Sequence, residues 1–449
     1  MDSRAPRPTA ALSTRERAGA KARKSRARSP EASGVSERVR DAKRSVGSAR
    51  DDENRFVHGD NLLVFPWLQR ALGPVFRFAY VDPPFNTGRA FPEYRDGRSR
   101  EEWIAFMRPR LGAIRDLLRP DGAVALEIDD TELGPLQVLC DDIFGPKNRV
   151  ATITVVRSAG TGHKAQNRGP VNVSDFVLLY AKDKSTFRPT PLFVPRKDPD
   201  RAYSTFVRDP KAPLDQWSFV PLAEAAAEGS GYESARLARR AEGATFARRV
   251  SRFALEHADH VVRFAQVRVE AVSKRARELV ARSTERPDEV FRLRREGRPD
   301  LLLRAGNRIL FLSSKLRSLL PDGSIDPTGK APRVLAEPLS NVWTDVPFQG
   351  IAREGSVVFV RNKKPERLVE RLLAAQTSPG DWVLDPFVGS GTTAAVAETM
   401  GRRWVGIEEG EHLFTLAVPR LTRVVRGLDR TGIRRQRAHE GGGSFGVYR

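Results

Sequence analysis

The sequence predicts an α/β protein whose mostly parallel sheet is assembled from two separated stretches of chain. Three observations carry that prediction. Apolar β-type runs alternate with helical periodicity over residues 53–185, the alternation is lost from about 185 to 335, and it returns from Asn362 onward. Regular alternation of strand and helix covers a parallel sheet with helices on both faces.

The first stretch is expected to open with a short strand, Arg55-Phe56-Val57-His58, leading through Gly59-Asp60-Asn61 into a helix with Leu62, Leu63, Phe65, Trp67, Leu68 and Leu72 on its apolar face. Residues 76–81 form the next strand. A helix follows over 100–118, since Trp103, Phe106, Met107, Leu111 and Ile114 recur at helical spacing. Pro120-Asp121-Gly122 turns into a strand at 123–128. Asp129-Asp130-Thr131 is suited to cap a helix carrying Leu133, Leu136, Leu139 and Ile143, and residues 150–156 and 176–180 have strand composition.

The region 186–340 reads as an insertion. Residues 201–300 hold 20 Lys/Arg and 15 Asp/Glu, with Phe246, Val250, Phe253, Val261, Phe264 and Val267 at roughly helical intervals. That pattern predicts a charged amphipathic helical pair, followed by a hairpin around Ala305-Gly306-Asn307. The second stretch, 341–428, contains a helix opened by Lys363-Lys364-Pro365-Glu366, a strand at 382–384, a glycine loop, a helix at 392–400, a strand at 404–407 and a last helix over 411–425. Two basic ends flank the whole: an arm over 1–52 and a Gly-rich flexible tail over 429–449. Residues 1–50 carry 14 Lys/Arg against 5 Asp/Glu and few large apolar groups, the composition of a disordered segment.

Composition narrows the function. The net charge of +21 and pI near 10.6 fit a polyanionic partner. No apolar run is long enough for a membrane span and no secretory h-region is present, so a cytoplasmic, nucleoid-associated location without membrane contact is expected. Cys140 is the single cysteine, which excludes an intrachain disulfide and a thiolate metal cluster. It falls in a helical stretch and is expected to pack there. The six histidines lack metal-ligand spacing, so no metal site is expected.

Two motifs carry the chemistry. Asp385-Pro386-Phe387-Val388-Gly389-Ser390-Gly391-Thr392 lies between a strand and a helix, where glycines let backbone approach a ligand closely. It is neither the dinucleotide Gly-x-Gly-x-x-Gly nor a phosphate loop. Glu408, 23 residues after Asp385 at the end of the next strand, is placed to bind ribose hydroxyls. A nucleoside cofactor fits this arrangement better than a plain turn does. Asp82-Pro83-Pro84-Phe85, about 300 residues earlier, follows the strand 76–81. Asp82 and the Pro83 carbonyl are suited to accept the two N–H bonds of an exocyclic amine. Phe85 would stack on the base, and the two prolines fix the backbone that aims the acceptors.

These motifs, with Gly59-Asp60-Asn61-Leu62, Phe85-Asn86-Thr87-Gly88, Ile143-Phe144-Gly145 and Val342-Trp343-Thr344-Asp345, resemble the β group of amino DNA methyltransferases. More narrowly, the chain is similar to the adenine-specific Mod subunit of type III restriction-modification systems. The resemblance implies a circularly permuted Rossmann-like sheet with a partly helical target-recognition insertion at 186–340. It implies S-adenosyl-L-methionine as cofactor, held by Asp385, Phe387, Gly389, Gly391, Thr392 and Glu408, with Asp60 near its adenine and Lys364 near its carboxylate. Asp82 to Phe85 would be catalytic and Asn86 would hold the flipped nucleotide. The implied reaction is methylation of adenine N6 in double-stranded DNA, and the implied partners are DNA, a second copy of the chain and a restriction nuclease or helicase subunit. Phe85 departs from the Tyr more frequent in adenine-specific members. N4-cytosine transfer, a DNA-binding specificity subunit with weak catalysis, and methylation of RNA or protein stand as alternatives.

Overall fold

A computed structural model describes residues 39–40, 53–88, 97–158, 169–348, 350–357 and 363–449. Apart from Val39–Arg40, the expected basic arm lies outside the described residues, as does His163.

The first stretch supplies β1 (Asn54–His58), α1 (Asn61–Ala71), β2 (Phe76–Val81), α2 (Arg100–Leu117), β3 (Leu118–Ile128), α3 (Leu133–Phe144), β4 (Arg149–Val156) and β5 (Ser174–Ala181). The second supplies β6 (Val342–Trp343), α4 (Glu366–Gln376), β7 (Trp382–Asp385), α5 (Thr392–Thr399), β8 (Arg403–Glu408), α6 (Val418–Val425) and β9 (Phe445–Tyr448). They join in one sheet in the order Val39–Arg40, β9, β1, β8, β7, β2, β3, β5, β4, β6. Its strands are parallel except β5, which runs antiparallel to both β3 and β4. The halves interleave, because β7 pairs with β2 and β8 pairs with β1. This is the permuted Rossmann-like sheet that the sequence predicts.

Alternation along the strands sends side chains to opposite faces. Ala79 and Val81 of β2 and Val124 and Leu126 of β3 pack with Phe65, Trp103, Met107, Leu111 and Leu139 of α1–α3. Phe78 and Tyr80, Ala123 and Ala125 pack instead with Leu368, Leu372, Val396, Leu421 and Val424 of α4–α6. The three-layer core therefore follows from strands that are apolar on both faces, as a covered parallel sheet requires. Ser99 closes a capping box with Glu102 at the start of α2.

The insertion differs from its expected form. Between β5 and β6 the chain builds an antiparallel six-stranded sheet, Phe291–Leu293, Leu301–Arg304, Asn307–Phe311, Val261–Gln266, Thr205–Val207 and Phe219–Pro221 in spatial order. Three strands, Leu316–Ser318, Arg333–Pro338 and Phe193–Pro195, form a smaller sheet. Helices Ala244–Glu256 and Lys274–Glu285 are present, and so is the hairpin through Ala305-Gly306. Val261 to Val267, however, is mostly strand: its β-branched and aromatic residues satisfy a period of two as well as a helical one, and pairing with Thr205–Val207 and Asn307–Phe311 decides.

Two further departures have local causes. The last predicted helix is a π-helical turn, Leu413–Ala417, continued by α6; Pro419 cannot donate into a regular α ladder at this junction. The tail is ordered where flexibility was expected. Gly432–Arg437 is helical, and Phe445, Val447 and Tyr448 are buried where β9 adds to β1. Its small apolar content, hidden among Gly and Arg, is placed at alternating positions against Phe56 and Trp404.

Candidate active site

Four adjacent parallel strands end on acidic residues. Asp60 follows β1, Glu408 closes β8, Asp385 closes β7 and Asp82 follows β2, and all four line a single cavity at the carboxyl edge of the sheet. That edge, beside the point where the two chain halves meet, is where open α/β sheets form ligand sites.

The glycine loop is shaped by its own carboxylates. Asp385 Oδ1 accepts the Phe387 N–H at 3.0 Å, and burial pushes its carboxyl up to about 7, against the opposing bonds from Thr393 and Phe387. Glu408 accepts the N–H groups of Gly389 and Gly410, each at 2.9 Å, and lies 3.3 Å from His412 Nε2. Burial works to raise its carboxyl, but His412 and the two N–H groups hold it below the usual range. Gly389 has φ +52° and a Cβ there would meet nothing within 4 Å. Gly391 has φ +77° and is packed so closely that a Cβ would lie 3.0 Å from Ala417 Cβ. Of the two glycines expected to approach a ligand, Gly389 lines the cavity and Gly391 serves the packing of α5 on the π turn.

Asp60 caps α1 through Leu62 N at 2.9 Å and receives Arg110 Nη2 at 2.7 Å. Arg110 Nε also donates to Asn61 Oδ1 at 2.7 Å, and Asn61 Nδ2 donates to the Pro386 carbonyl at 2.8 Å. This chain of bonds fastens the first half of the sequence to the glycine loop of the second.

The Asp82–Phe85 loop is fixed from beneath by Trp103, whose Nε1 donates to the Pro84 carbonyl at 2.8 Å. Lys364 Nζ lies 3.1 Å from Asp82 Oδ1, 3.1 Å from Glu127 Oε1 and 4.3 Å from the centre of the Phe85 ring. Tyr80 OH donates to the other oxygen of Glu127. Burial raises the Asp82 carboxyl, Glu127 and Asp385 add to the rise, and the Lys364 ammonium opposes it. Burial likewise disfavours the charge on Lys364, but Asp82, Glu127 and Asp175 outweigh it and hold the ammonium protonated. Asn86 takes φ +60° beside this loop, and its Nδ2 donates to Glu132 Oε1 at 2.9 Å. Its Oδ1 is buried without a hydrogen-bond partner, and Asn86 does not line the cavity.

Sequence reasoning missed Tyr80, Glu127, Asn61, Arg110, Trp103 and His412. One signal was present: Glu127 is the lone charge in the apolar run Ala123-Val124-Ala125-Leu126-Glu127-Ile128, and a buried charge requires a partner.

A sequence model of a DNA methylase family, covering N6 and N4 amino methylases, matches residues 76–419. The chain belongs to this family. Within it, the chain is similar to a probable type III restriction-modification enzyme HindVI Mod subunit from Haemophilus influenzae, 26% identical over 433 residues, covering 90% of this chain and 56% of the relative. It thus spans little more than half of that relative's length. Type II methyltransferase M.EcaI from Enterobacter cloacae is 24% identical over 369 residues, covering 79% of this chain and 66% of the relative. Among solved structures, a putative DNA modification methylase from Thermus thermophilus complexed with S-adenosyl-L-methionine aligns at 14% identity and a TM-score of 0.38, covering 82% of this chain and 95% of that one. The family places both motifs of this chain, from Asp82 to Glu408, inside its matched span.

Proposed function

We propose that this DNA methylase family member transfers a methyl group from S-adenosylmethionine to N6 of an adenine flipped out of duplex DNA. The observation that carries the reading is the convergence of Asp82 and Phe85 with Asp385, Gly389 and Glu408 in one cavity. The cavity suits the cofactor in two respects. Open space beside Gly389 admits a ligand against backbone, and the buried carboxylate of Asp385, matched among the described residues by the neutral donors of Thr393 and Phe387, calls for a cation. Asp385, Phe387, Gly389, Thr392 and Glu408 would hold the cofactor, with Asp60 at one end. When bound, S-adenosylmethionine supplies a methyl group activated by its sulfonium.

The remaining work belongs to the chain. An exocyclic amine is a weak nucleophile because its lone pair is delocalised into the ring. Asp82 and the Pro83 carbonyl accept its two N–H bonds and localise that pair, while Phe85 stacks on the ring. Trp103 keeps the acceptors in place, so little reorganisation accompanies the reaction. Proton loss follows transfer, and Asp82 need only be an acceptor. Asp82, rather than the Ser frequent in N4-cytosine relatives, favours adenine.

The insertion is read as the DNA-binding region. Arg268, Arg275, Arg294, Arg298 and Arg308 line one of its clefts, whose wall carries no carboxylate among the described residues. The adjoining helix Lys274–Glu285 has no acidic residue in its first turn, so its positive end adds to the arginines. Phosphates suit such a cleft. The Mod-like character also supports partnership with a restriction subunit. With tritiated cofactor and DNA, the chain should label DNA, and Asp82→Ala should abolish labelling while still binding cofactor. Labelling undiminished by Asp82→Ala contradicts the reading.

A further inference from the structure

The motif chemistry leaves Lys364, Glu127 and Tyr80 without a catalytic task, although they form a buried polar cluster against Asp82. The family resemblance directs Lys364 toward the cofactor. Its ammonium is instead committed: two of its three donors face Asp82 and Glu127 at 3.1 Å, and its charge sits over the Phe85 ring. Glu127 is fully buried, does not line the cavity, and has its second oxygen occupied by Tyr80. It touches the reacting groups through Lys364 and Tyr80, and its charge acts on Asp82.

We infer that Lys364 is the positioning residue of Asp82, favouring the ionised form of that carboxylate and aiming it into the cavity, and that Glu127 with Tyr80 fixes the ammonium in place. The inference rests on the reading of Asp82 as acceptor of the amine.

The charges around Asp82 explain the need. Tyr80 on its own strand is neutral and buried, Glu127 faces it from β3, and Asp385 adds repulsion from β7. Asp175 on β5, which also acts on Lys364, is 3.1 Å from Arg157. Among the described residues, Lys364 is the cation that answers Asp82 and Glu127 together. Without it, burial and the neighbouring carboxylates favour the protonated acid, and a protonated oxygen presents a donor to an amine N–H that needs an acceptor.

The test is the pH profile of methyl transfer to DNA by the full chain, with cofactor affinity measured in parallel. Lys364→Met should move the acid limb to higher pH by about one to three units, with little change in cofactor affinity. Glu127→Gln removes a like charge and should move the limb the opposite way. Lys364→Arg should restore part of the wild-type profile. Opposite shifts in two buried variants are not a consequence of general loosening, and Glu127→Gln, close to isosteric, keeps the test open if Lys364→Met does not fold. An unmoved limb in both variants overturns the inference. So does Lys364→Met that weakens cofactor binding with the limb in place, because Lys364 then serves the cofactor. Asp82→Asn separates the two levels: full activity in that variant refutes the acceptor reading itself, whereas an inactive Asp82→Asn beside unmoved limbs refutes only the role of Lys364.

Discussion

Alanine at the two glycines of the cofactor loop should produce different failures. Gly391→Ala combines two costs. Its φ of +77° is left-handed, which costs about 1–2 kcal/mol for a residue with a Cβ, and that Cβ would stand 3.0 Å from Ala417 Cβ and 3.2 Å from Ala417 Cα. Overpacking of this kind costs about 1–3 kcal/mol, giving about 2–5 kcal/mol in all. Gly389→Ala carries only the backbone cost, about 1–2 kcal/mol, since its Cβ meets nothing within 4 Å. That methyl group would occupy space beside the cavity that Gly389 lines. Cofactor-free denaturant unfolding should therefore rank Gly391→Ala well below Gly389→Ala. Calorimetric titration with S-adenosylmethionine should show about a tenfold or greater loss of affinity for Gly389→Ala, equivalent to about 1.4 kcal/mol. Wild-type affinity in Gly389→Ala, or equal destabilisation by the two variants, would refute this division of roles.

Three other outcomes follow. Arg420 is fully buried, donates to Thr392 Oγ1 at 2.8 Å and to the Ser390 carbonyl at 3.2 Å, and pairs with Glu366 at 2.6 Å. Arg420→Met should cost about 3–5 kcal/mol in denaturant unfolding, the range for a broken buried ion pair, and should loosen the cofactor loop. Phe445→Ala should cost about 3–5 kcal/mol, read by the same unfolding assay, whereas a flexible tail would tolerate it without effect. Cys140 is buried, and burial pushes its thiol well above the ordinary range. Cys140→Ala should retain full methyl transfer, and a thiol reagent should label the native protein only after unfolding.

Most of the sheet was legible because its strands are apolar on both faces and bounded by turn residues. Phe78-Ala79-Tyr80-Val81 before Asp82-Pro83-Pro84, and Val383-Leu384 before Asp385, read as strands delivering loops. Their adjacency was not legible: that β7 lies against β2 and β8 against β1 depends on pairing across more than 300 residues. The polar wiring was hidden for the same reason. Arg110 on α2 reads as solvated until Asp60 and Asn61 at the start of α1 are brought to it. Arg434 looks like part of a basic tail until Glu366 and Asp429 enclose it. In the insertion, short apolar runs such as Val261-Val262-Arg263-Phe264 are compatible with two periods, and only strand pairing selects one.

Identification of the methylated nucleoside tests the central claim most directly. DNA treated with the purified chain and S-adenosylmethionine, digested to nucleosides and resolved by mass spectrometry, should contain N6-methyladenine, and the product should vanish with Asp82→Ala. N4-methylcytosine alone, or no methylated nucleoside, would contradict the account.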